Sequence, residues 1–179
     1  MAERGDSVAG AGLRVRAAVA DAGRANVATG ISVLDHLVSL LASYASFDVQ
    51  LEVEPGEAAA EVATAGRALG EALGAELRRP GVAGFGSAAV PADEALAHVA
   101  LEASGRPLVV SNVDLSDARV AGLGTDVVAD FLRELAEGAE LTLHVRLIEG
   151  SDTQHVLEAI FKALGAALAR ACRPRRRKE

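Results

Sequence analysis

Four histidines are the residues of this chain best suited to chemistry, and one of them has a carboxylate at helical spacing. They are His36, His98, His144 and His155. In the segment QHVLE, His155 and Glu158 lie at i and i+3, so a helix would place them on one face. An imidazole and a carboxylate on one face can share a metal ion. A solvated or hydrogen-bonded pair is the alternative, and the pattern alone leaves both open.

The other histidines suggest different settings. His36 stands near the predicted start of a helix, where it is either a ligand or a polar first-turn residue. His144 alternates with the apolar Leu143 and Val145, so on a strand it would face away from the core. His98 suggests no function.

Arg106 is a candidate for binding an anion. It lies in the turn sequence Ser104-Gly105-Arg106-Pro107 after a predicted strand. A guanidinium in such a turn can bind a phosphate or carboxylate group. An ion pair with Asp93 or Glu94 is the structural alternative.

These residues lie on an internal repeat. The segment LVSLLASYASFDVQLEV from Leu37 and the segment FLRELAEGAELTLHVRL from Phe131 both pass from helical periodicity to alternation, 94 residues apart. Residues 68–73 match residues 163–168 at an offset of 95. Two matched segments in the same order indicate a duplicated helix–strand–helix unit.

The sequence pattern of each half predicts opening strands, a helix, a strand and a second helix. The predicted opening strands are Leu13–Val19, Ala97–Ala103 and Leu108–Val113. Helix starts are expected at Asp35, Thr125 and Ser151–Thr153, a helix end at Gly74, and a loop from Gly81 to Gly86.

Strands followed by helices predict an α+β sandwich with a single domain over residues 13–172. Its half-repeats, about 13–80 and 88–172, should pack as pseudo-symmetric partners. Residues 1–12 and 173–179 are expected to be flexible tails.

Composition excludes several classes of protein. Half of the 179 residues are apolar, so the chain is globular, and its core must use Ala, Val and Leu because aromatics are only 3%. The net charge of −7 argues against a nucleic-acid partner, despite the basic run RPRRRK from Arg173. A single cysteine, Cys172, excludes an internal disulfide and is typical of a reducing cytoplasm. No long apolar run or signal-peptide pattern is present, so no membrane partner is expected.

Five blocks of the sequence resemble imidazoleglycerol-phosphate dehydratase in order and spacing. They are Thr29–His36, Val90–Leu96, Ser104–Pro107, Leu141–His144 and Gly150–Leu164. The resemblance implies the duplicated α+β fold, of the type of ribosomal protein S5 domain 2. It also implies a carbon–oxygen lyase of histidine biosynthesis whose trimers assemble into a larger shell, with two manganese ions per site at subunit interfaces.

The departures from the family pattern fall on the metal ligands. The resemblance implies a His-His-x-x-Glu motif in each half and a histidine at the start of each half's first helix. The first motif falls on Ala59, Ala60 and Ala63, and the second on Gln154, His155 and Glu158. The residual candidate metal ligands are therefore His36, His155, Glu158 and Asp130, which stands at the second helix-start position.

The substrate-binding groups are reduced as well. Gly84 stands where the family has an arginine beside Phe85, and the C-terminal Ser-Thr-Lys loop has no counterpart. The N-terminal Glu-Thr motif is also missing from Val8–Leu13. Arg106 is kept and remains the candidate for binding the substrate phosphate.

Three hypotheses follow for function. The first is a degenerate homologue without the dinuclear manganese site, with no cofactor and no normal dehydratase activity, because losing around half of the inner ligands should abolish at least one metal site. The second is an active dehydratase or related lyase that uses manganese and recruits Glu61. The third is a small-molecule-binding or partner module that assembles with an active paralogue. Self-association in a trimer or larger homo-oligomer and a phosphorylated ligand are the expected partners.

Overall fold

The computed structural model describes residues 13–20, 22–54, 56–114, 119–120 and 123–176. The elements of the first half are β1 (Leu13–Val19), β2 (Ala25–Ala28), α1 (Ser32–Ala45), β3 (Phe47–Val53) and α2 (Ala58–Leu77). Those of the second half are β4 (Phe85–Ala92), β5 (Ala95–Glu102), β6 (Leu108–Ser111), β7 (Arg119–Val120), β8 (Leu123–Gly124), α3 (Thr125–Ala139), β9 (Thr142–Glu149) and α4 (Thr153–Ala171).

The two main sheets share one topology. The first sheet has the order β1-β3-β2, in which β1 is antiparallel and β2 parallel to β3. The second sheet has the order β4-β5-β9-β6, in which β5 is antiparallel and β6 parallel to β9. The strands β5-β9-β6 therefore repeat β1-β3-β2, and β4 lies at the edge of the second sheet beside β5. The predicted duplication and the α+β class are confirmed.

The first helices of the two halves bury the same pattern of side chains. Leu34, Leu37 and Leu41 of α1 correspond to Val128, Phe131 and Leu135 of α3, 94 residues later. This spacing puts one apolar stripe toward the core. Both helices end in a left-handed residue, Ser46 and Glu140, each with φ of 55°. The repeat therefore extends from the buried face to the helix end.

The helices of one half pack on the helices of the other. Helix α2 packs on α3 and α4 packs on α1, while the first sheet flanks α1 and α2 and the second sheet flanks α3 and α4. Glycines allow this close packing, because a Cβ at Gly70 would lie 2.3 Å from the carbonyl oxygen of Leu135. At the equivalent Gly165, a Cβ would lie 2.4 Å from that of Leu41. The two halves therefore interlock through their helices.

Several predicted boundaries were wrong. Strand β2 was not predicted. Strand β4 was missed because its Gly86 and Pro91 are unusual in strands and because no repeat partner marks it among the described residues. Helix α2 does not end at Gly74, which is buried against α3, but continues to Leu77. His144 is exposed on β9, as the alternation predicted.

The basic C-terminal segment is held against the domain through its backbone. The N–H of Ala83 donates to the carbonyl of Arg173 at 2.8 Å, and the N–H of Arg175 donates to the carbonyl of Gly81 at 2.7 Å. Val82 and Pro174 form an isolated antiparallel bridge. The flexible tails expected over residues 1–12 and 173–179 stay predictions, since residues 1–12 and 177–179 lie outside the described part. In that part, no helix has the length and apolar character needed to cross a bilayer.

Candidate functional site

The first turns of α4 carry the candidate site. The helix begins after Asp152, whose carboxylate accepts a hydrogen bond from the backbone N–H of His155 at 3.1 Å, a normal N-cap. His155 and Glu158 are three residues apart, but their side chains have different partners. His155 contacts the turn between β4 and β5, and Glu158 contacts α1.

His155 is held by carboxylates. Its Nδ1 lies 2.6 Å from Glu94 Oε2, and its Nε2 lies 3.3 Å from Asp93 Oδ2. Glu94 also accepts hydrogen bonds from the backbone N–H groups of Asp152, at 2.8 Å, and Ser151, at 3.3 Å. Glu94 therefore joins the β4–β5 turn to the start of α4.

These contacts shift the ionisation of both groups. The backbone N–H of Asp152, followed by the imidazole of His155, lowers the pKa of Glu94 from 4.5 to about 2. The hydrogen bond to Glu94 raises the pKa of His155 above 6.5. An anionic Glu94 beside a cationic imidazole is the arrangement that both shifts favour.

A second polar contact joins α1 to α4. His36 Nε2 lies 3.1 Å from Glu158 Oε1, and the Gln154 amide donates to the same oxygen at 3.0 Å. Burial opposes ionisation of Glu158, but the hydrogen bonds from Gln154 and His36 hold its pKa below 4.5. These three side chains line a pocket of about 210 Å³.

The corresponding contact between α2 and α3 has no equivalent polar pair. Asp130 stands 94 residues after His36, and its carboxylate binds Arg133 Nη1 at 2.5 Å. Counting back 95 residues from Glu158 leads to Ala63. The contact between α1 and α4 therefore has an imidazole and a carboxylate, whereas the equivalent contact between α3 and α2 has a carboxylate and a methyl group.

The first turn of α2 offers methyl groups and one engaged carboxylate. Ala59 and Ala60 are exposed and Ala63 is half-buried. Glu61 is buried and accepts a hydrogen bond from the backbone N–H of Gly56. A methyl group has no lone pair to donate, and the Glu61 carboxylate accepts from the backbone of the loop that precedes α2.

Arg106 lies in an exposed turn whose backbone is fixed. Its carbonyl accepts hydrogen bonds from Ser104 Oγ at 3.1 Å and Thr142 Oγ1 at 3.2 Å. Its guanidinium has no hydrogen bond or ion pair within the described residues. The ion pair with Asp93 or Glu94 that the sequence suggested does not form, because both carboxylates contact His155.

Comparisons with known proteins identify the family. The sequence profile of imidazoleglycerol-phosphate dehydratase matches residues 29–168, most of the chain. The chain belongs to this family.

Individual relatives and solved structures agree with this assignment. The imidazoleglycerol-phosphate dehydratase of Syntrophobacter fumaroxidans is 42% identical over 155 residues, covering 84% of this chain and 79% of the relative. That of Acetivibrio thermocellus is 37% identical over 158 residues, covering 84% and 80%. The crystal structure of the Staphylococcus aureus enzyme superposes with a TM-score of 0.84 at 29% identity and covers 91% of this chain and 94% of that one.

The imidazoleglycerol-phosphate dehydratase family implies a dinuclear manganese centre, for which the candidate donors in this chain are His36, His155, Glu158 and Asp130. Among the residues that the structure describes, no group of three or more His, Cys, Asp or Glu side chains is arranged to hold a metal ion. His36 and Glu158 are paired with each other, His155 with Glu94, and Asp130 with Arg133. Each predicted ligand is thus present in the fold, but the four do not converge within one chain.

Sequence reasoning missed Glu94 as a member of this site. The signal available was the acidic pair Asp93-Glu94 in a tight turn, where Asp93 has a φ of 47°. The pair was assigned to Arg106, which is closer in sequence than His155. Only the packing of α4 against β4 and β5 brings Glu94 to His155, 61 residues away.

Proposed function

We propose that this chain is an imidazoleglycerol-phosphate dehydratase homologue that keeps the family scaffold but lacks the dinuclear manganese site and the normal dehydratase activity. The observation that carries the proposal is the asymmetry of the repeat. Helix α4 has Gln154, His155 and Glu158, while the matching positions of α2 have three alanines.

The chemistry explains why this asymmetry matters. Dehydration of imidazoleglycerol phosphate requires removal of a proton that is not acidic unless the imidazole ring is made more electron-withdrawing, which a bound metal ion does by its charge. Loss of one outer-shell partner costs about 10–100-fold in metal affinity or activity. Loss of three donors from α2 and one from α4 should reduce metal affinity or activity by a larger factor than that.

The remaining groups support binding of a phosphorylated small molecule rather than its turnover. Arg106 presents a guanidinium on a turn fixed by Ser104 and Thr142, where a phosphate can accept its hydrogen bonds. Gly84 supplies no second cation beside Phe85. We expect Arg106 to provide weak, charge-dependent affinity.

A second candidate function is an active dehydratase or a related lyase. Identity near 40% to proteins of that name favours it, as does retention of His36, His155, Glu158 and Arg106. Subunit assembly could bring donors from neighbouring chains together, with manganese as the cofactor. A module that assembles with an active paralogue is a third candidate.

Turnover of imidazoleglycerol phosphate separates these candidates. The purified full chain is incubated with manganese and substrate, and loss of water from the substrate is followed by mass spectrometry. The Staphylococcus aureus enzyme, assayed in parallel, is the positive control. We expect no product above the rate without enzyme. Turnover that chelator abolishes and manganese restores would support the second candidate and contradict the proposal.

A donor-restoring variant sharpens the test. Ala59→His, Ala60→His and Ala63→Glu together with Gln154→His return imidazole and carboxylate groups to both motifs. The variant should bind manganese more tightly than the natural chain. The matched control is Thr64→His on the exposed side of α2, which adds an imidazole outside the motif. Equal manganese binding by all three proteins would show that the motif positions are not the deciding feature.

We also propose self-association as a trimer or larger homo-oligomer in the cytoplasm. The family resemblance supports the assembly, and the single cysteine fits a reducing compartment. The expected ligand is a small phosphorylated molecule, with no nucleic acid or membrane partner.

A further inference from the structure

A cavity of about 320 Å³ lies between the second sheet and helices α3 and α4. Its apolar walls come from four elements and comprise Val109 of β6, Val145 of β9, Val128 and Leu132 of α3, and Leu157 and Ile160 of α4. The cavity shares Leu157 with the pocket at His36 and Glu158, but neither of these two residues lines it. It is therefore separate from the histidine–carboxylate contact described above. We call it the α3 cavity.

The first half of the repeat has a polar contact in the equivalent space. Thr29 follows β2, and its backbone N–H donates to Asp35 Oδ1 on α1 at 2.9 Å. The Thr29 hydroxyl donates to the same oxygen. Thr29 is fully buried. This contact joins the end of β2 to the first turn of α1.

The second half has apolar side chains at both of these positions. Helix α3 has Ala129 where α1 has Asp35, 94 residues earlier. The register of β2 on β3 and of β6 on β9 places Val113 at the position of Thr29. Ala129 and Val113 both line the α3 cavity. The cavity therefore lies where the first half has its threonine–aspartate contact.

The rim of the α3 cavity carries more negative than positive charge. Asp114, Asp126 and Asp130 line it together with Arg133, whose Nη1 lies 2.5 Å from Asp130 Oδ1. Asp126 is exposed, and its carboxylate has no hydrogen bond or ion pair with any group that the structure describes. Its charge favours the start of α3, and the same carboxylate can accept charge-assisted hydrogen bonds from a ligand. A ligand would thus meet apolar walls and an anionic rim.

We propose that the α3 cavity binds a small apolar amine in its protonated form, with the hydrocarbon part against Val128 and Ile160 and the ammonium beside Asp126. An apolar cavity of about 150 Å³ is large enough for benzene, so this one has room for a ring and a short chain. Ligand sites typically combine apolar walls with a few placed polar groups. The rim carboxylates disfavour an anion, so this ligand differs in class from the phosphorylated molecule expected at Arg106.

Three probes of similar size test the class of ligand: phenethylammonium, phenethyl alcohol and phenylacetate. Calorimetry on the full chain measures their affinities, and methyl NMR locates them. Phenethylammonium should bind most tightly and shift the methyl signals of Val128 and Ile160, but not those of Leu34, the equivalent of Val128 on α1. Phenethyl alcohol should bind about twofold to fivefold more weakly, which is the contribution of an exposed ion pair, and phenylacetate more weakly still.

Two results with these probes would overturn the proposal. Phenethyl alcohol or phenylacetate binding as tightly as phenethylammonium would contradict the amine as the ligand class. Unchanged methyl signals of Val128 and Ile160 at the highest soluble concentration of phenethylammonium would contradict the cavity as the site. Neither result bears on the proposed loss of dehydratase activity, from which this inference is independent.

Substitutions in the wall and at the rim test the two parts of the site separately. Ser111 lines the cavity from the edge strand β6, so Ser111→Phe should fill part of it and weaken phenethylammonium binding at least about tenfold. Ser111→Ala is the matched control and should leave the affinity unchanged. Asp126→Asn should weaken phenethylammonium about twofold to fivefold without affecting phenethyl alcohol, whereas Glu137→Gln, elsewhere on α3, should change neither.

Thermal unfolding verifies that each variant is folded, and Asp126→Asn decides the outcome if Ser111→Phe does not fold. An affinity for phenethylammonium that a folded Ser111→Phe variant retains would overturn the cavity as the binding site. A preference for phenethylammonium over phenethyl alcohol that persists in Asp126→Asn would overturn the contact between the ammonium and Asp126.

Discussion

Replacing Gly70 by alanine tests whether the halves are locked together by close contact between α2 and α3. The change adds one methyl group to a buried helical position. At an unconstrained helical position it would stabilise the protein by about 0.5–1 kcal/mol, because alanine loses less backbone entropy than glycine. At Gly70 we instead expect the substitution to destabilise the protein.

The magnitude follows from the distances. The new Cβ would lie 2.3 Å from the carbonyl oxygen of Leu135 and 3.0 Å from the backbone nitrogen of Ala139. An ordinary contact begins near 3.4 Å, so the helices must separate by roughly 1 Å. Overpacking of a rigid core costs about 1–3 kcal/mol. A loss of about 2 kcal/mol in the free energy of unfolding should lower the Tm by roughly 4–8 °C for a domain of this size.

Thermal and urea unfolding followed by circular dichroism measure this change. Gly165→Ala, the equivalent substitution between α4 and α1, should behave similarly because its Cβ would lie 2.4 Å from Leu41 oxygen. Thr64→Ala on the exposed side of α2 is the control and should stay within about 0.5 kcal/mol of the natural chain. A Gly70→Ala variant as stable as the natural chain, or more so, would refute the packing argument.

Three further predictions concern ionisation. Glu94→Gln should lower the pKa of His155 toward 6.5 in an NMR titration, because the carboxylate raises it; an unchanged pKa would show that the contact is absent in solution. The pKa of Glu94 in the folded protein is lowered to about 2, so its contribution to stability is present above pH 4.5 and is lost as the pH falls toward 2. Glu94→Gln should therefore flatten the pH dependence of stability over that range. Burial raises the pKa of Cys172 to about 11, so iodoacetamide at pH 8 should modify the unfolded chain much faster than the native protein, and equal rates would contradict the burial.

The internal repeat explains how much of the fold could be predicted. The apolar spacing that begins at Leu37 recurs at Phe131, so the helices, the central strands and their recurrence in both halves followed from one pattern. Strand β4 could not be found in this way, because the first half has no counterpart within the described residues. Its exposed side chains also alternate with small residues, which gives a weak strand signal.

The site was less predictable because its contacts are long-range. Helical spacing correctly placed His155 and Glu158 on α4, but spacing does not tell which neighbour each side chain meets. Their partners, Glu94 and His36, come from elements 61 and 122 residues away. Arg106 was predicted in a turn after a strand, where it lies, but its alternative ion pair was wrong.

Manganese stoichiometry tests the central claim most directly. The full chain is equilibrated with excess manganese and dialysed, and its manganese content is then measured by elemental mass spectrometry. The Staphylococcus aureus enzyme is treated in parallel. The three alanines of α2 and the paired donors of α4 predict no retained dinuclear centre and clearly less than one manganese ion per chain. A retained content near two manganese ions per chain would contradict the account, because it would require donors that the alanine positions do not have.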